Sequence, residues 1–514
     1  MRAHSLCIVL LACLPLGAAL QEDSDVKDGM DAIDQKSIQA DIHELAADSY
    51  MGRSCPTPGY MRAAEFVEAR FKQLGLTPGG SNPEGEHPYF RYFEHEATVL
   101  GDACELAFSS GDGTQQYEVE KDWIPLAGAR EGSVEGELVF VGYAIQAPKS
   151  RYKDIGSIDL KDKLAIAFWH EPRENKKDKR FDGLEWTKHS SALEKAKLAE
   201  AEGALGLILI QDPHHEPSDR PPLFQFPRFA GASGRPADKP CDFPVAFVSL
   251  DVGEALTGLD LRAEHASIDK SLKCKPQLLE GRKAKLAIQF ESKRVRVPNV
   301  VGVVQGRDNS DKSVVVAAHL DHVGADDGGQ IWNGADDNAS GTSAMLAVAA
   351  AFAAAPAKRD TILIAMAAEE WGLWGSEAYT RDPLITMEST EFMMNIDMVG
   401  RGDTKEIAVM GAWDSKDLQK LVKSAAKLVG TKLKLDMSGG RQYWHRSDQL
   451  HFFKKGVPAL FVSEVGIEHV DYHQPSDTVD KIDTKKATYA AKLAYAITWS
   501  IGNLDEPLER LPND

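Results

Sequence analysis

The last third of the chain sets imidazoles and carboxylates directly after apolar runs. Three valines at 314–316 lead into Ala317-Ala318-His319-Leu320-Asp321. Gly334-Ala335-Asp336-Asp337-Asn338 occupies a polar loop ahead of the small-residue segment 340–355. Glu369-Glu370 closes the apolar run 362–368, Asp397 closes 392–396, and His473 follows the run 459–462. Acidic groups directly after buried strands are costly unless something pairs with them. Two histidines and three carboxylates suit two divalent ions of the zinc type, each held by imidazole and carboxylate, with one carboxylate shared. Paired ions lower the pKa of a water and polarise a carbonyl, so the chemistry implied is metal-assisted hydrolysis.

Taken singly, each residue has a plainer reading. A histidine after a strand is more often a hydrogen-bonded structural one. A Glu-Glu pair usually faces water, and Asp-Asp-Asn-Ala-Ser makes a good helix N-cap. Asn338-Ala339-Ser340 also matches a glycosylation sequon, in a loop expected to be buried. His322, His445, His451 and His469 fit structural or pocket-lining roles better than metal binding. The joint occurrence at strand ends carries the two-metal reading.

The elements that must position these groups follow an α/β rhythm from residue 299 onward. Strands are expected at 314–318, 361–367, 392–396, 406–410 and 459–462, and helices at 340–355, 375–379, 416–428, 448–454 and 485–501. Several strands are continuous apolar runs, as when helices cover both faces of a sheet. Open α/β sheets bind ligands at the carboxyl ends of their strands. Upstream, helices are expected at 32–47 and 61–74, the second stopping at Gly75. A mixed α/β insert is expected over about 131–290, interrupted by the polar segments 171–186 and 214–240. The remaining parts of the α/β architecture then fall at 20–130 and 297–505.

With 514 residues the chain is too long for one core, so two or three domains are expected. Its 78 acidic against 59 basic residues give a net charge of −19, which argues against nucleic acid or anionic membranes as partners. Met1-Arg2, an apolar stretch at 6–16 and Gly17-Ala18-Ala19 follow the plan of a secretory signal peptide over 1–19. Export with cleavage near Ala19, and no stable membrane insertion, is the expectation. Leu10-Leu11-Ala12-Cys13 leaves lipidation of Cys13 as a minority alternative. Of the remaining cysteines, proximity in sequence suggests the pairs Cys55–Cys104 and Cys241–Cys274.

The segments AHLDHVG, NGADDNASG, AAEEWGLWGS, NIDMVGR and DYHQPSDT resemble, in order, those of the M28 family of co-catalytic zinc exopeptidases. That resemblance implies an α/β fold, a doubly wound mixed sheet of the zinc exopeptidase type. It also implies a peptide substrate and two Zn2+ per chain. By position it gives one ion to His319 and Asp397 and the other to Glu370 and His473, with Asp337 bridging. Glu369 falls on the general base, Asp321 on the carboxylate that orients the first histidine, Tyr472 on an oxyanion donor and Arg446 on a substrate-contacting arginine. Ser447-Asp448-Gln449 departs from the family's Ser-Asp-His and puts the pocket's shape in question. The insert, with VFVGYAIQAP and DLKDKLAIAF, resembles a protease-associated (PA) domain. An aminopeptidase is the expected activity. The alternatives are a carboxypeptidase or dipeptidase of this fold, a glutaminyl cyclase-like enzyme with one zinc, or an inactive binding scaffold.

Overall fold

The computed structural model describes residues 25–510 apart from 112, 120, 127, 157, 174–179, 182–186, 214–228, 231–240, 326–329, 414 and 465–468. The expected signal peptide, its cleavage near Ala19 and Cys13 lie outside the described residues. So do most of the polar stretch 214–240 and much of 171–186.

The chain divides into two compact units. The first comprises Met1–Phe93, Arg296–Glu369 and Leu373–Asp514, and the second Glu94–Val295 with Glu370–Gly372. In the first unit, strands run in the order Phe290–Val304, Asp360–Met366, Ser313–His319, Thr390–Ile396, Ala459–Ser463, Glu406–Met410, Lys434–Asp436. The four strands from Asp360–Met366 to Ala459–Ser463 are mutually parallel. Their flanking neighbours, Phe290–Val304 and Glu406–Met410, join antiparallel. Every residue of Ser313–His319 and Thr390–Ile396 is buried, which explains the apolar runs at 314–318 and 392–394 within them.

Sequence sets the helices that cover this sheet. Gly341–Ala354 is alanine-rich and buried along most of its length, so it lies close against the strands. Thr484–Gly502 starts at Asp483, whose carboxylate accepts from the backbone N–H of Lys485 and Lys486. Pro58–Gln73 starts with Thr57 as N-cap and a proline in its first turn. The expected strands and helices of this unit all form, with ends shifted by a few residues. Among the described residues no helix is long and apolar enough to cross a membrane.

The second unit has its own sheet, ordered Gly113–Tyr117, Glu105–Ser110, Gln277–Ile288, Gly132–Phe140, Leu164–Phe168, Gly206–Ile210, Val245–Val248, Trp123–Pro125. Its core includes Trp123, Phe140, Phe168 and Ile208, all buried. The unit begins at Glu94 rather than near 131. The reason is that Glu105–Ser110 pairs along Gln277–Ile288 and brings Gly113–Tyr117 with it. The expected disulfides do not form. Cys55, Cys241 and Cys274 are free thiols, and Cys104 donates from Sγ to the Gln289 carbonyl at 3.2 Å.

Candidate active site

Carboxyl ends of the four parallel strands gather the predicted side chains. His319 is the last residue of Ser313–His319, and Asp397 directly follows Thr390–Ile396. Glu369 and Glu370 lie just beyond Asp360–Met366, and His473 lies in the loop after Ala459–Ser463. Asp337 sits in the turn before Gly341–Ala354. That turn needs Gly334, whose φ is +57° and where a Cβ would stand 2.2 Å from the Asp337 carbonyl. Ala368, Met398 and His473 are non-glycine residues at positive φ, each in or beside a candidate donor. Such conformations cost free energy and persist only when their surroundings over-determine them.

Two donor groups result. In one, ligand atoms of His319, Glu369 and Asp397 lie within 4.8 Å of one another; in the other, those of His322, Asp337, Glu370 and His473 do. Asp337 reaches both groups. Its Oδ1 is 3.3 Å from His319 Nε2, and its Oδ2 is 3.1 Å from His473 Nε2 and 3.8 Å from His322 Nδ1. His319 Nε2 is also 3.2 Å from Asp397 Oδ1.

Electrostatics agree with a site built for cations. Burial disfavours charge on His319, but the carboxylates of Asp397, Glu369 and Asp337 outweigh it and hold the imidazole well above its usual range. Burial likewise opposes ionisation of Asp337, yet His319 and His473 pull its carboxyl well below the usual range. Buried carboxylates facing imidazoles recruit positive charge, as protons or as metal. The donor set of imidazole nitrogens and carboxylate oxygens fits zinc-class ions.

Supporting contacts fix orientation. His319 Nδ1 is 3.1 Å from the Asp321 carbonyl and 4.0 Å from its carboxylate. An N–H at Nδ1 directed to that carbonyl leaves Nε2 for a metal. Asp321 Oδ1 accepts from the Glu369 backbone N–H at 3.0 Å, so this buried carboxylate also places the expected base. Asp397 Oδ2 accepts from Ser447 Oγ at 2.8 Å. Asp477 grips the bridging loop, accepting from the N–H groups of Asp336 and Asp337 at 3.0–3.1 Å. Asn338 is 1 % exposed, and its Oδ1 accepts from Gly341 N and Met398 N, in keeping with a buried sequon.

The rim carries the remaining expected residues. Tyr472 stacks on His473 with ring centres 4.0 Å apart, and Arg446 Nη2 donates to Tyr472 Oη at 3.2 Å. Gln449 is fully buried; its Oε1 accepts from Asn395 at 2.9 Å and its Nε2 donates to the Trp444 carbonyl at 2.7 Å. The departure from Ser-Asp-His therefore braces the loop from beneath.

Sequence reasoning passed over two residues. His322 joins the donor group of Asp337, and its only sequence signal was its place directly after Asp321. Arg53 is fully buried and bonds to carbonyls in both donor loops, a role without a sequence signature. A third group, Asp336, Glu464 and His469, also has ligand atoms within 4.8 Å. There, His469 Nδ1 accepts the Asp471 N–H at 3.1 Å, and its Nε2 lies 3.3 Å from Asp336 Oδ2.

A parallel-centred α/β sheet thus carries two groups of acid and imidazole donors at its strand ends. Residues 299–498 match peptidase family M28. A probable leucine aminopeptidase of Arthroderma otae is 28% identical over 274 residues, covering 51% of this chain and 70% of that protein. Aminopeptidase YwaD of Bacillus subtilis is 28% identical over 323 residues, covering 60% of this chain and 59% of its own length. The crystal structure of BSAP, a zinc aminopeptidase from Bacillus subtilis, superposes with a TM-score of 0.60 at 20% identity. It covers 91% of this chain and 95% of that one, a likeness of fold.

Proposed function

We propose that this protein is an exported aminopeptidase that removes N-terminal residues from peptides with the help of two zinc ions. The observation that carries the reading is Asp337, whose two carboxylate oxygens face imidazoles of two different donor groups. His319 and Asp397 would hold one ion, Glu370 and His473 the other, and Asp337 both. When bound, the pair acidifies a water, polarises the scissile carbonyl and offers a docking point for a free α-amine.

The protein's own groups do the rest. Glu369 takes the proton of the attacking water on its carboxylate and delivers it to the leaving amine. Tyr472 donates its hydroxyl hydrogen to the oxygen that becomes negative as the carbonyl carbon turns tetrahedral. Arg446, bonded to that hydroxyl, keeps it aimed and offers a cation to the peptide. Asp321 holds the backbone of Glu369 and the turn of His319. The segment 94–295 we read as a PA-type insert, from the resemblance of its strands.

The test is metal dependence of aminoacyl-p-nitroanilide hydrolysis. A chelator should abolish turnover, and added zinc should restore it with a titration endpoint at two ions per chain. An endpoint at one ion would favour the cyclase-like reading, and inactivity across a broad aminoacyl panel would favour a scaffold.

A further inference from the structure

We propose that Arg53 is the positioning residue of the paired donor site, setting through one guanidinium the two loops that present His319 and Asp337. The inference rests on the reading of those side chains as metal donors. Arg53 is 0 % exposed. Its Nε donates to the Leu320 carbonyl at 2.9 Å and its Nη2 to the Gly334 carbonyl at 2.9 Å. Nη1 donates to the carbonyls of Leu45 at 2.6 Å and Asn333 at 2.7 Å. Leu320 separates His319 from Asp321, and Gly334 opens the turn that ends in Asp337.

Contacts on the other side of Arg53 complete the brace. The Arg53 carbonyl accepts from the His322 N–H at 3.3 Å, so the His319–His322 turn is held at both ends by one residue. Gly52, at φ +64°, presses so close that a Cβ there would lie 2.2 Å from the Gly324 carbonyl. The backbone at 52–53 is thereby fixed against the same loop region. Arg53 itself has a φ of +50°, an uncommon conformation for a side-chain-bearing residue.

Arginine suits this place for a geometric reason. Its planar fork carries five N–H donors in fixed directions, whereas a lysine ammonium carries three on a flexible stem. A buried guanidinium requires acceptors around its edge. Here three of the four acceptors, on Leu320, Asn333 and Gly334, are carbonyls of the ligand-bearing segments, so the relative placement of two donor loops is written into the shape of one side chain. Loops left to themselves would present the same donors with a wider spread, and ligand orientation governs metal affinity.

The experiment compares the wild-type chain with Arg53→Lys and Arg53→Ala, using zinc and cobalt as probes. Zinc affinity is read by competition with a chromophoric chelator, site geometry by the visible absorption of the Co2+-substituted protein, and kcat at saturating zinc separately. Arg53→Lys should bind zinc at least about tenfold more weakly. Its cobalt spectrum should change, and kcat should recover when zinc is in excess. Arg53→Ala should regain zinc binding in millimolar guanidinium ion but not in urea. Wild-type zinc affinity and cobalt spectrum in Arg53→Lys would overturn the inference, even if that variant melted at a lower temperature. Failure of guanidinium to restore Arg53→Ala, should the lysine variant not fold, would overturn it equally. A wild-type protein that binds no zinc would instead defeat the proposed function.

Discussion

Replacing Glu369 by glutamine separates a base from a ligand. The change keeps size and shape, and the backbone stays tied because Asp321 Oδ1 accepts the residue's N–H at 3.0 Å. What disappears is the carboxylate that accepts a proton. Positioned general bases contribute ~10²–10⁴-fold, or roughly 3–5 kcal/mol of barrier. The predicted loss in kcat therefore falls in that range. Both ions should be retained, because His319, Asp397, Asp337, Glu370 and His473 all remain as donors. The assay pairs steady-state kinetics on leucine-p-nitroanilide with metal content by mass spectrometry after dialysis. Loss of an ion together with activity would make Glu369 a ligand, and retained turnover would remove it from proton transfer altogether.

Two other consequences are open to measurement. Tyr472→Phe should lower kcat by ~10²–10³, the usual worth of one oxyanion donor, with zinc content unchanged; an equal fall in metal content would point to a packing role through its stack on His473. His451 is held down at about 4 by burial, with Lys454 adding to the effect. Its folded pKa lies below its ordinary 6.5, so the unfolded chain binds the extra proton first as pH falls. The stability linked to His451 should be complete above pH ~6.5 and decline toward pH ~4. His451→Gln should flatten that part of the melting-temperature profile, and an unchanged slope would contradict the assignment.

The legible part of this molecule was its strand ends. A buried parallel strand shows as an apolar run, and a charged residue directly after it, as at His319, Glu369 and Asp397, needs a partner whatever the fold. Strand-end position therefore singled out most of the candidate donors, whereas their division between two ions and the roles of Glu369, Asp321, Tyr472 and Arg446 came from the family resemblance. Arg53 escaped because its acceptors are carbonyls as far as 281 residues away in sequence, and a carbonyl belongs to every residue type. His322 escaped because an imidazole one step past Asp321 reads equally well as pocket lining; only the fold turns its Nδ1 toward Asp337. The early start of the second unit was hidden for a related reason. Gly113–Tyr117 has four exposed residues out of five, too polar to announce a place in a sheet. Cysteine pairing was a guess from sequence distance, and Cys55 is instead enclosed in the first unit.

The central claim is that the paired donors serve cleavage next to a free amino terminus. An unblocked peptide and its N-acetylated twin, incubated with the zinc-loaded protein and analysed by mass spectrometry, test it most directly. The account predicts stepwise release of single residues from the amino end of the first and an untouched second. Release from the carboxyl end, or equal cleavage of both peptides, would contradict it.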